Sequence, residues 1–308
     1  MDLTSVILLV VFGLQWAIPI SIAADGELVT EKSGVLNIGI YGVMLIGGFT
    51  AAVVDYETGA FFGPASPYAG LLAGMAAGAA VNLFLALLST RLHVDQVIAG
   101  IGINIFAVGL TYVLLQRFFI IDGTPIANSV APLFTIGGLA QGIAPKISPL
   151  MAVMFILPVL VYLFLGKTKL GLRIRATGEN PKAAEAAGID VAKTRIAATA
   201  LGGTLLGLGG AYLTVDFFNS FVPDPTGTLF PGFIALAAVI AGGWNPLYVL
   251  GMSILFGGSV GLRFVLIAPG GTVYLTYLLP YIVTVVVLGI ASKRLRPPAA
   301  LALPYKKE

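Results

Sequence analysis

Long apolar runs alternate with short polar segments along almost the whole of the 308-residue chain. The runs approach 20 residues, about the length at which a helix rising roughly 1.5 Å per residue crosses a hydrocarbon core of about 30 Å. Their polarity does not alternate at every second residue, as the strands of a barrel would require. The pattern predicts an all-α, polytopic bundle of nine transmembrane helices, or of eight or ten if one is broken or re-entrant. The predicted spans are residues 3–23, 35–54, 66–90, 96–118, 149–166, 195–215, 229–243, 247–267 and 272–291.

Composition agrees with a membrane protein. The chain is 58% hydrophobic and 10% charged, whereas about 25% of the residues in a soluble domain are charged. It contains no Cys and one His, which argues against disulfides and against a metal site. The basic pI of 9.0 does not predict nucleic-acid binding, because excess Lys and Arg in a membrane protein mainly set its orientation.

The distribution of positive charge predicts that orientation. With the N-terminus outside and the C-terminus in the cytoplasm, 14 of the 17 Lys and Arg residues fall in inner segments, and three, Arg117, Lys146 and Arg263, fall outside. Inner loops of membrane proteins collect Lys and Arg in this way. We therefore expect a multi-pass protein of the cytoplasmic (inner) membrane. Because charge within the spans is confined to their ends, we expect no buried proton relay, although sodium coupling through backbone carbonyls stays open.

Glycine is concentrated in two of the spans. Gly70, Gly74 and Gly78 form a small-xxx-small stripe in the third span, and the sixth span contains five glycines between residues 202 and 210. Such stripes let helix backbones approach closely. The second and seventh spans also resemble each other, since each opens with a glycine-containing turn and closes with Gly-Gly and an aromatic residue. They run in opposite directions in the predicted topology, which is typical of inverted repeats.

A face of small and polar residues on the fourth span predicts a path for an uncharged polar substrate. At about 100° per residue these side chains fall within about 80° of one another, opposite an apolar face. Two further amides lie in the second and third spans. The predicted path residues are Asn37, Asn82, Gln96, Gly100, Asn104 and Thr111. For each amide the alternative is an interhelical hydrogen bond of about 1 kcal/mol or less.

Two motif fragments argue against catalysis by this chain. Gly166, Lys167 and Thr168 match the end of a Walker A loop, but Val161 occupies the position of its first glycine, so we expect no phosphate cradle. If ATP drives this protein, another chain binds it. Ser259 lies in a G-x-S-x-G sequence, yet the single histidine, His93, belongs to the opposite side of the predicted membrane, so the serine lacks a base.

The one long charged segment is the loop of residues 167–194, and its sequence predicts a short helix. Asn180 is a suitable N-cap and Pro181 a suitable first residue, strong helix formers follow, and Gly188 ends the helix. A helix of about two turns on the membrane face is suited to insertion into a groove of a soluble partner. The alternatives are a loop that only sets topology or one that binds lipid.

Three stretches, residues 172–213, 31–52 and 95–114, resemble inner-membrane permeases of ATP-binding-cassette importers. The resemblance is to the group that serves simple sugars, nucleosides and branched-chain amino acids, and in length the chain is most similar to the shorter permease of a nucleoside importer. It lacks the downstream Gly-x-Leu-Pro of the older EAA consensus of other importers. The hydrophobic pattern agrees over the whole length, so we expect residues 1–308 to form one permease domain.

The resemblance implies an inverted-repeat permease architecture and a non-enzymatic role in alternating access. It implies partner ATPase subunits that bind ATP and Mg²⁺, a second and non-identical permease, and an extracytoplasmic substrate-binding lipoprotein, while this chain binds no cofactor. Within the cytoplasmic loop 167–194 it assigns ATPase coupling to Gly178, Glu179, Asn180, Pro181, Ala183, Ala184, Glu185, Ala187 and Gly188. Nucleosides are the expected substrate, with ribose-like sugars or branched-chain amino acids as alternatives. An ATP-independent secondary transporter and a membrane scaffold without transport activity are the alternative classes.

Overall fold

The computed structural model describes residues 3–119, 124–125, 128–135, 146–224, 230–266, 278–291 and 296–305. Its helices are α1 Leu3–Lys32, α2 Ile40–Phe62, α3 Ser66–Thr90, α4 Gln96–Phe118, α5 Leu150–Lys167, α6 Lys169–Glu179, α7 Pro181–Ala186, α8 Val191–Tyr212, α9 Gly232–Ala241, α10 Pro246–Leu266 and α11 Leu279–Ala291. A 3₁₀ turn, Gly63–Ala65, joins α2 to α3, and a π-helical segment, Leu213–Phe218, extends α8. Two antiparallel pairs of two-residue strands complete the fold, β1 Thr124–Pro125 with β4 Ser220–Phe221 and β2 Phe134–Thr135 with β3 Lys146–Ile147.

The prediction of an all-α polytopic bundle is confirmed. Within the described part of the chain, five segments are long and apolar enough to cross a membrane: Leu9–Lys32, Ile40–Thr90, Gln96–Phe118, Leu150–Lys167 and Val191–Phe218. The second of these contains the antiparallel pair α2 and α3. Large apolar side chains such as Ile98, Ile105 and Phe106 are exposed on the outside of the bundle, where lipid would cover them.

Helices α1, α2, α3 and α8 form the centre of the bundle, and α10 packs along α1. The glycine stripes of α3 and α8 pack against each other, because a Cβ at Gly78 would lie 2.7 Å from the Cα of Gly207, and a Cβ at Gly47 of α2 would lie equally close to it. These backbones approach so closely that only glycine fits between them. We call the end of the bundle that carries α6, α7 and the C-terminal residues 296–305 the basic end, and the opposite end the far end.

Three predicted spans have different bounds in the structure. Span 35–54 is wrong at both ends, because α2 begins at Ile40 after a non-helical segment, Ser33–Gly39, and continues to Phe62. Span 229–243 is wrong as a complete span, because α9 has 10 residues and is only about 15 Å long. Span 3–23 is wrong at its end, because α1 continues to Lys32. The ninth span starts at residues 272–277, which lie outside the described part of the chain.

The extension of α1 buries three acidic residues that the sequence placed in a loop. Asp25, Glu27 and Glu31 are at most 1% exposed. Glu27 accepts a hydrogen bond from the backbone N–H of Asn37, and Glu31 accepts one from the indole N–H of Trp244. The expectation that charge is confined to the span ends was therefore wrong for α1, because neighbouring elements supply donors to two of its carboxylates.

Candidate functional site

The candidate site is organised around the helix break Ser33–Gly39. Asn37 hydrogen-bonds to Asn82, which in turn reaches the carbonyl of Thr199. Asn82 lies eight residues before the end of α3 at Thr90, and Thr199 lies eight residues after the start of α8 at Val191. At about 1.5 Å per residue, the break therefore reaches about 12 Å into the bundle from the basic end. Non-helical backbone at that depth requires partners inside the protein.

The asparagine pair supplies some of these partners. The Asn37 side chain accepts the backbone N–H of Gly39 at 2.8 Å and donates to Asn82 Oδ1 at 3.2 Å. Asn82 Nδ2 donates to the carbonyl oxygen of Thr199 at 3.0 Å. Both amides are completely buried. They join the break to α3 and α8.

Helix α4 supplies further partners of the break. Gln96 Oε1 accepts the backbone N–H of Leu36 at 2.7 Å. Asn104 accepts the backbone N–H of Gly42 at 2.8 Å and donates to the carbonyl of Ile38 at 2.9 Å. The Asn104 side chain thereby satisfies one of the free N–H groups in the first turn of α2, where Gly39 offers no side-chain cap.

Of the predicted path residues, the structure brings five together around the break and leaves one apart. Gly100 packs against the break, where its Cβ position lies 2.7 Å from the backbone nitrogen of Gly39. Thr111 instead hydrogen-bonds within α4, to the carbonyl of Ala107. The four amides make the interhelical and backbone hydrogen bonds that the alternative interpretation predicts, and their role in a substrate path stays a prediction.

A second break, with described residues 222–224 and 230–231, precedes α9. It brings the start of α9 against the start of α2. A Cβ at Gly232, the first residue of α9, would lie 2.6 Å from the backbone nitrogen of Tyr41 in the first turn of α2. The Tyr41 hydroxyl donates to the carbonyl of Asp224, whose side chain accepts the backbone N–H of Phe230 at 3.1 Å. Helices α2 and α9 therefore begin against each other inside the bundle.

This arrangement places two helix N-termini at one point within the membrane-spanning part of the chain. Helix N-termini carry partial positive charge, and half-helix ends of this kind position polar groups of substrates in transporters. In the described residues, no group of three or more His, Cys, Asp or Glu side chains could hold a metal ion. The geometry is suited to a ligand with hydrogen-bond acceptors.

The predicted short helix of the loop is confirmed as α7. Asn180 Oδ1 accepts the backbone N–H of Ala183 at 3.0 Å, Pro181 is the first residue, and Gly188 follows the helix with φ of +83°. The sequence did not predict α6, whose amphipathic pattern is short and whose N-cap, Thr168, lies directly after α5. Together, α6 and α7 form a compact helical surface.

That surface contains all nine predicted coupling residues. Gly178 and Glu179 belong to α6, four more belong to α7, and Asn180, Ala187 and Gly188 flank α7; the four in α7 are Pro181, Ala183, Ala184 and Glu185. Ala184 is buried, whereas Ala183, Ala187 and Gly188 are exposed. At its edge, hydrogen bonds from the backbone and side chain of Lys193 hold the pKa of Asp190 below its ordinary value, so the cap of α8 stays ionised.

Several residues of the site were missed by the sequence interpretation. Glu27 and Glu31 are spaced i, i+4 and therefore lie on one face of α1, and that spacing was a usable signal. Arg195 is 2% exposed at the start of α8 and binds distant carbonyl groups. No local pattern distinguishes it from the other basic residues of the loop.

Residues 9–288 match the protein family described as the permease component of branched-chain amino acid transport systems. The chain belongs to this family. The match spans every helix that packs around the two breaks, and it includes α6 and α7.

Individual relatives align over almost the whole chain. It is 33% identical to the guanosine ABC transporter permease protein NupQ of Bacillus subtilis, over 100% of this chain and 99% of the relative. It is 31% identical to the nucleoside ABC transporter permease protein NupC of Lactococcus lactis, over 96% of this chain and 95% of the relative. It is also 31% identical to TsgC13 of Haloferax volcanii, a protein named as a glucose ABC transporter permease, over 96% of each chain.

Proposed function

We propose that this chain is a permease subunit of an ATP-binding-cassette importer and forms the membrane path for nucleosides. The observation that carries the proposal is the 33% identity to a guanosine permease over the complete chain. The 31% identity to a second nucleoside permease supports the same substrate class. The chain itself makes and breaks no covalent bond, and the energy comes from ATP and Mg²⁺ bound by partner ATPase subunits.

The proposed orientation places the basic end in the cytoplasm and the N-terminus outside. Its support is the excess of Lys and Arg around α6, α7 and the C-terminal residues 296–305. There, the coupling residues of loop 167–194 dock on the ATPase, since α7 presents a short capped helix with exposed faces. A second, non-identical permease and an extracytoplasmic binding lipoprotein complete the assembly, and residues 1–308 act as one domain within it.

The proposed path passes the meeting point of α2 and α9. Asn37, Asn82, Gln96 and Asn104 hold the first break in one arrangement through bonds that a rearrangement of the bundle can exchange. We propose that these amides, with Gly100 and Thr111, line the path when ATP-driven closure of the motor moves the helices. Uncharged amides match the hydroxyl and ring-nitrogen groups of a nucleoside, which are hydrogen-bond donors and acceptors.

A sugar is the second candidate substrate. The observation that favours it is the 31% identity to TsgC13 over 96% of each chain. Branched-chain amino acids are the third candidate, supported by the description of the matched family. Either substrate leaves the fold and the coupling mechanism unchanged.

The test is uptake of labelled uridine and inosine by cells that express the chain with its genomic neighbours, with ribose, glucose and leucine as competitors. The expected result is uptake of both labelled nucleosides that is inhibited by other, unlabelled nucleosides and not by ribose, glucose or leucine. Transport of a sugar or of leucine, without nucleoside uptake, would overturn the substrate while leaving the permease class in place.

A companion experiment separates the importer from a secondary transporter. Mutation of the Walker lysine of the ATPase should abolish uptake, because the motor supplies the energy. Uptake that persists in that mutant would establish an ATP-independent transporter, and a scaffold would give no uptake in either background.

A further inference from the structure

The C-terminal segment Arg296–Tyr305 crosses the basic end and contacts several elements that are far apart in sequence. The backbone N–H of Ala300 donates to the carbonyl of Gly178 at 2.8 Å, and that of Ala302 donates to the carbonyl of Gly34 at 3.2 Å. Gly178 lies at the end of α6, and Gly34 belongs to the break that precedes α2. One short segment therefore bonds both to the loop 167–194 and to the break.

Arg195 fixes the same segment from the side of α8. Its Nη1 donates to the carbonyl of Leu303 at 3.0 Å and its Nη2 to the carbonyl of Thr177 at 3.3 Å. Its guanidinium also packs on the break, since a Cβ at Gly34 would lie 2.6 Å from Nη2. The planar fork of one arginine thus touches α6, the C-terminal segment and the break together.

The end of the segment reaches the predicted coupling helix. The Tyr305 hydroxyl donates to the Glu185 carboxylate on α7. The carbonyl of Tyr305 lies 3.3 Å from Nε2 of His93, in the connection between α3 and α4. A displacement of α7 therefore pulls on Tyr305 directly.

We propose that residues 296–305 form a strap, clamped by Arg195, that transmits movement of α7 to the break Ser33–Gly39 during transport. The chain of contacts runs from Glu185 through Tyr305 and Ala302 to Gly34. Gly34 lies only three residues before Asn37, which belongs to the amide cluster of Asn37, Asn82, Gln96 and Asn104. Arg195 and Tyr305 are positioning residues in this mechanism. The inference rests on the proposed ATPase docking at α7.

The strap explains how a six-residue helix influences groups about 12 Å inside the bundle. Helix α7 has few contacts of its own with the long helices, because it packs chiefly on α6. The C-terminal segment provides a second connection that ends at the break itself. Coupling through a contiguous set of hydrogen bonds requires that both ends shift together.

Two variants test the strap in the complete transporter, reconstituted in proteoliposomes with its ATPase and binding protein. Tyr305→Phe removes one hydroxyl, and Arg195→Lys keeps the charge but loses the fork. We expect the amount of substrate imported per ATP hydrolysed to fall about two- to tenfold in each, with ATPase co-purification unchanged. Tyr248→Phe is the matched control, since Tyr248 is an exposed tyrosine on α10, and Arg117→Lys is the control for an exposed arginine, in the last turn of α4 at the far end.

An unchanged import-to-ATP ratio in both variants would overturn the strap while leaving the importer intact. Loss of ATPase co-purification in Tyr305→Phe would also overturn it, because the segment would then hold the complex together. Amide hydrogen exchange gives a readout that does not depend on transport. Tyr305→Phe should accelerate exchange in both α7 and residues 33–39, and acceleration confined to α7 would contradict the proposal even if the importer function itself failed.

Discussion

At the scale of single residues, Asn104 has the most consequential position in the amide cluster. It bonds both to the N–H of Gly42 and to the carbonyl of Ile38. Asn104→Leu leaves both backbone groups unpaired, at a cost of about 1–3 kcal/mol each. We expect lower thermal stability of the purified chain and a marked loss of uptake, with membrane insertion and ATPase binding preserved.

Thr111→Val is the matched control for that substitution. Thr111 lies on the same face of α4, but its hydroxyl bonds only to its own helix. Valine has nearly the same shape, so the melting temperature should change little, and a fall in uptake at unchanged stability would report the proposed role of the Thr111 hydroxyl in the path. Uptake by Asn104→Leu at the wild-type rate would exclude a role for this amide, and failure of insertion would make its role purely structural.

The residue scale also shows what the sequence was able to predict. The period of about 100° placed Gln96, Gly100 and Asn104 on one buried face of α4, as the structure confirms. It did not reveal that their partners are backbone groups in and beside the break, because hydrogen bonds between residues at least 60 positions apart leave no local signal. Arg195 and Tyr305 were missed for the same reason.

At the scale of helices, the contact between α3 and α8 depends on glycine. A Cβ at Gly207 would collide with the carbonyl of Gly74. Gly207→Ala must separate the two helices, at a cost of roughly 1–3 kcal/mol for overpacking. We expect a lower yield of folded, detergent-stable protein, measured by size-exclusion chromatography.

Gly102→Ala is the counterpart of that substitution. Nothing lies within 4 Å of a Cβ at Gly102 on the exposed face of α4. Alanine favours the helix over glycine by up to about 1 kcal/mol, so the yield should be equal or higher. Equal losses in the two variants would mean that glycine acts through backbone flexibility and not through close packing.

The coupling helix gives a separate prediction. Glu185→Pro places proline inside the six residues of α7, where loss of an N–H and steric clash cost about 3 kcal/mol or more. Gly188→Arg forces a left-handed backbone at φ of +83°, costing about 1–2 kcal/mol. Both variants should insert normally and lose ATP-driven uptake. Gly188→Asn, which tolerates this φ, should retain it, and normal uptake by both damaging variants would exclude docking at α7.

Element boundaries were predictable only where polarity changes with the structure. The cap of α7 was predictable because Asn180 has an acceptor side chain that suits a helix start. The end of α1 was not readable, since Asp25, Glu27 and Glu31 resemble loop residues until their buried partners are known. The length of α9 was overestimated because the apolar residues Leu229 and Phe230 precede it and Trp244 follows it in the sequence.

At the scale of the whole molecule, the two breaks give physical meaning to the similarity between the second and seventh spans. Each break precedes a helix, and the two helices meet at Tyr41 and Gly232. The first break lies between α1 and α2 on the side of the basic end, whereas residues 222–224 and 230–231 follow the far end of α8. Two breaks that enter the bundle from opposite ends agree with an inverted repeat. The sequence similarity alone did not identify where the helices are interrupted.

Orientation is the property of the whole molecule that charge alone predicts, and the absence of cysteine from the chain makes it directly measurable. Ala65→Cys lies in the exposed turn between α2 and α3 at the far end, and Lys169→Cys lies in the exposed start of α6 at the basic end. A membrane-impermeant maleimide added to intact cells should label Ala65→Cys, and should label Lys169→Cys only after permeabilisation. The reverse pattern would place α7 outside, where no ATPase can reach it, and would overturn both the proposed docking and the strap. Because each variant serves as the accessibility control for the other, unequal expression cannot imitate the expected result.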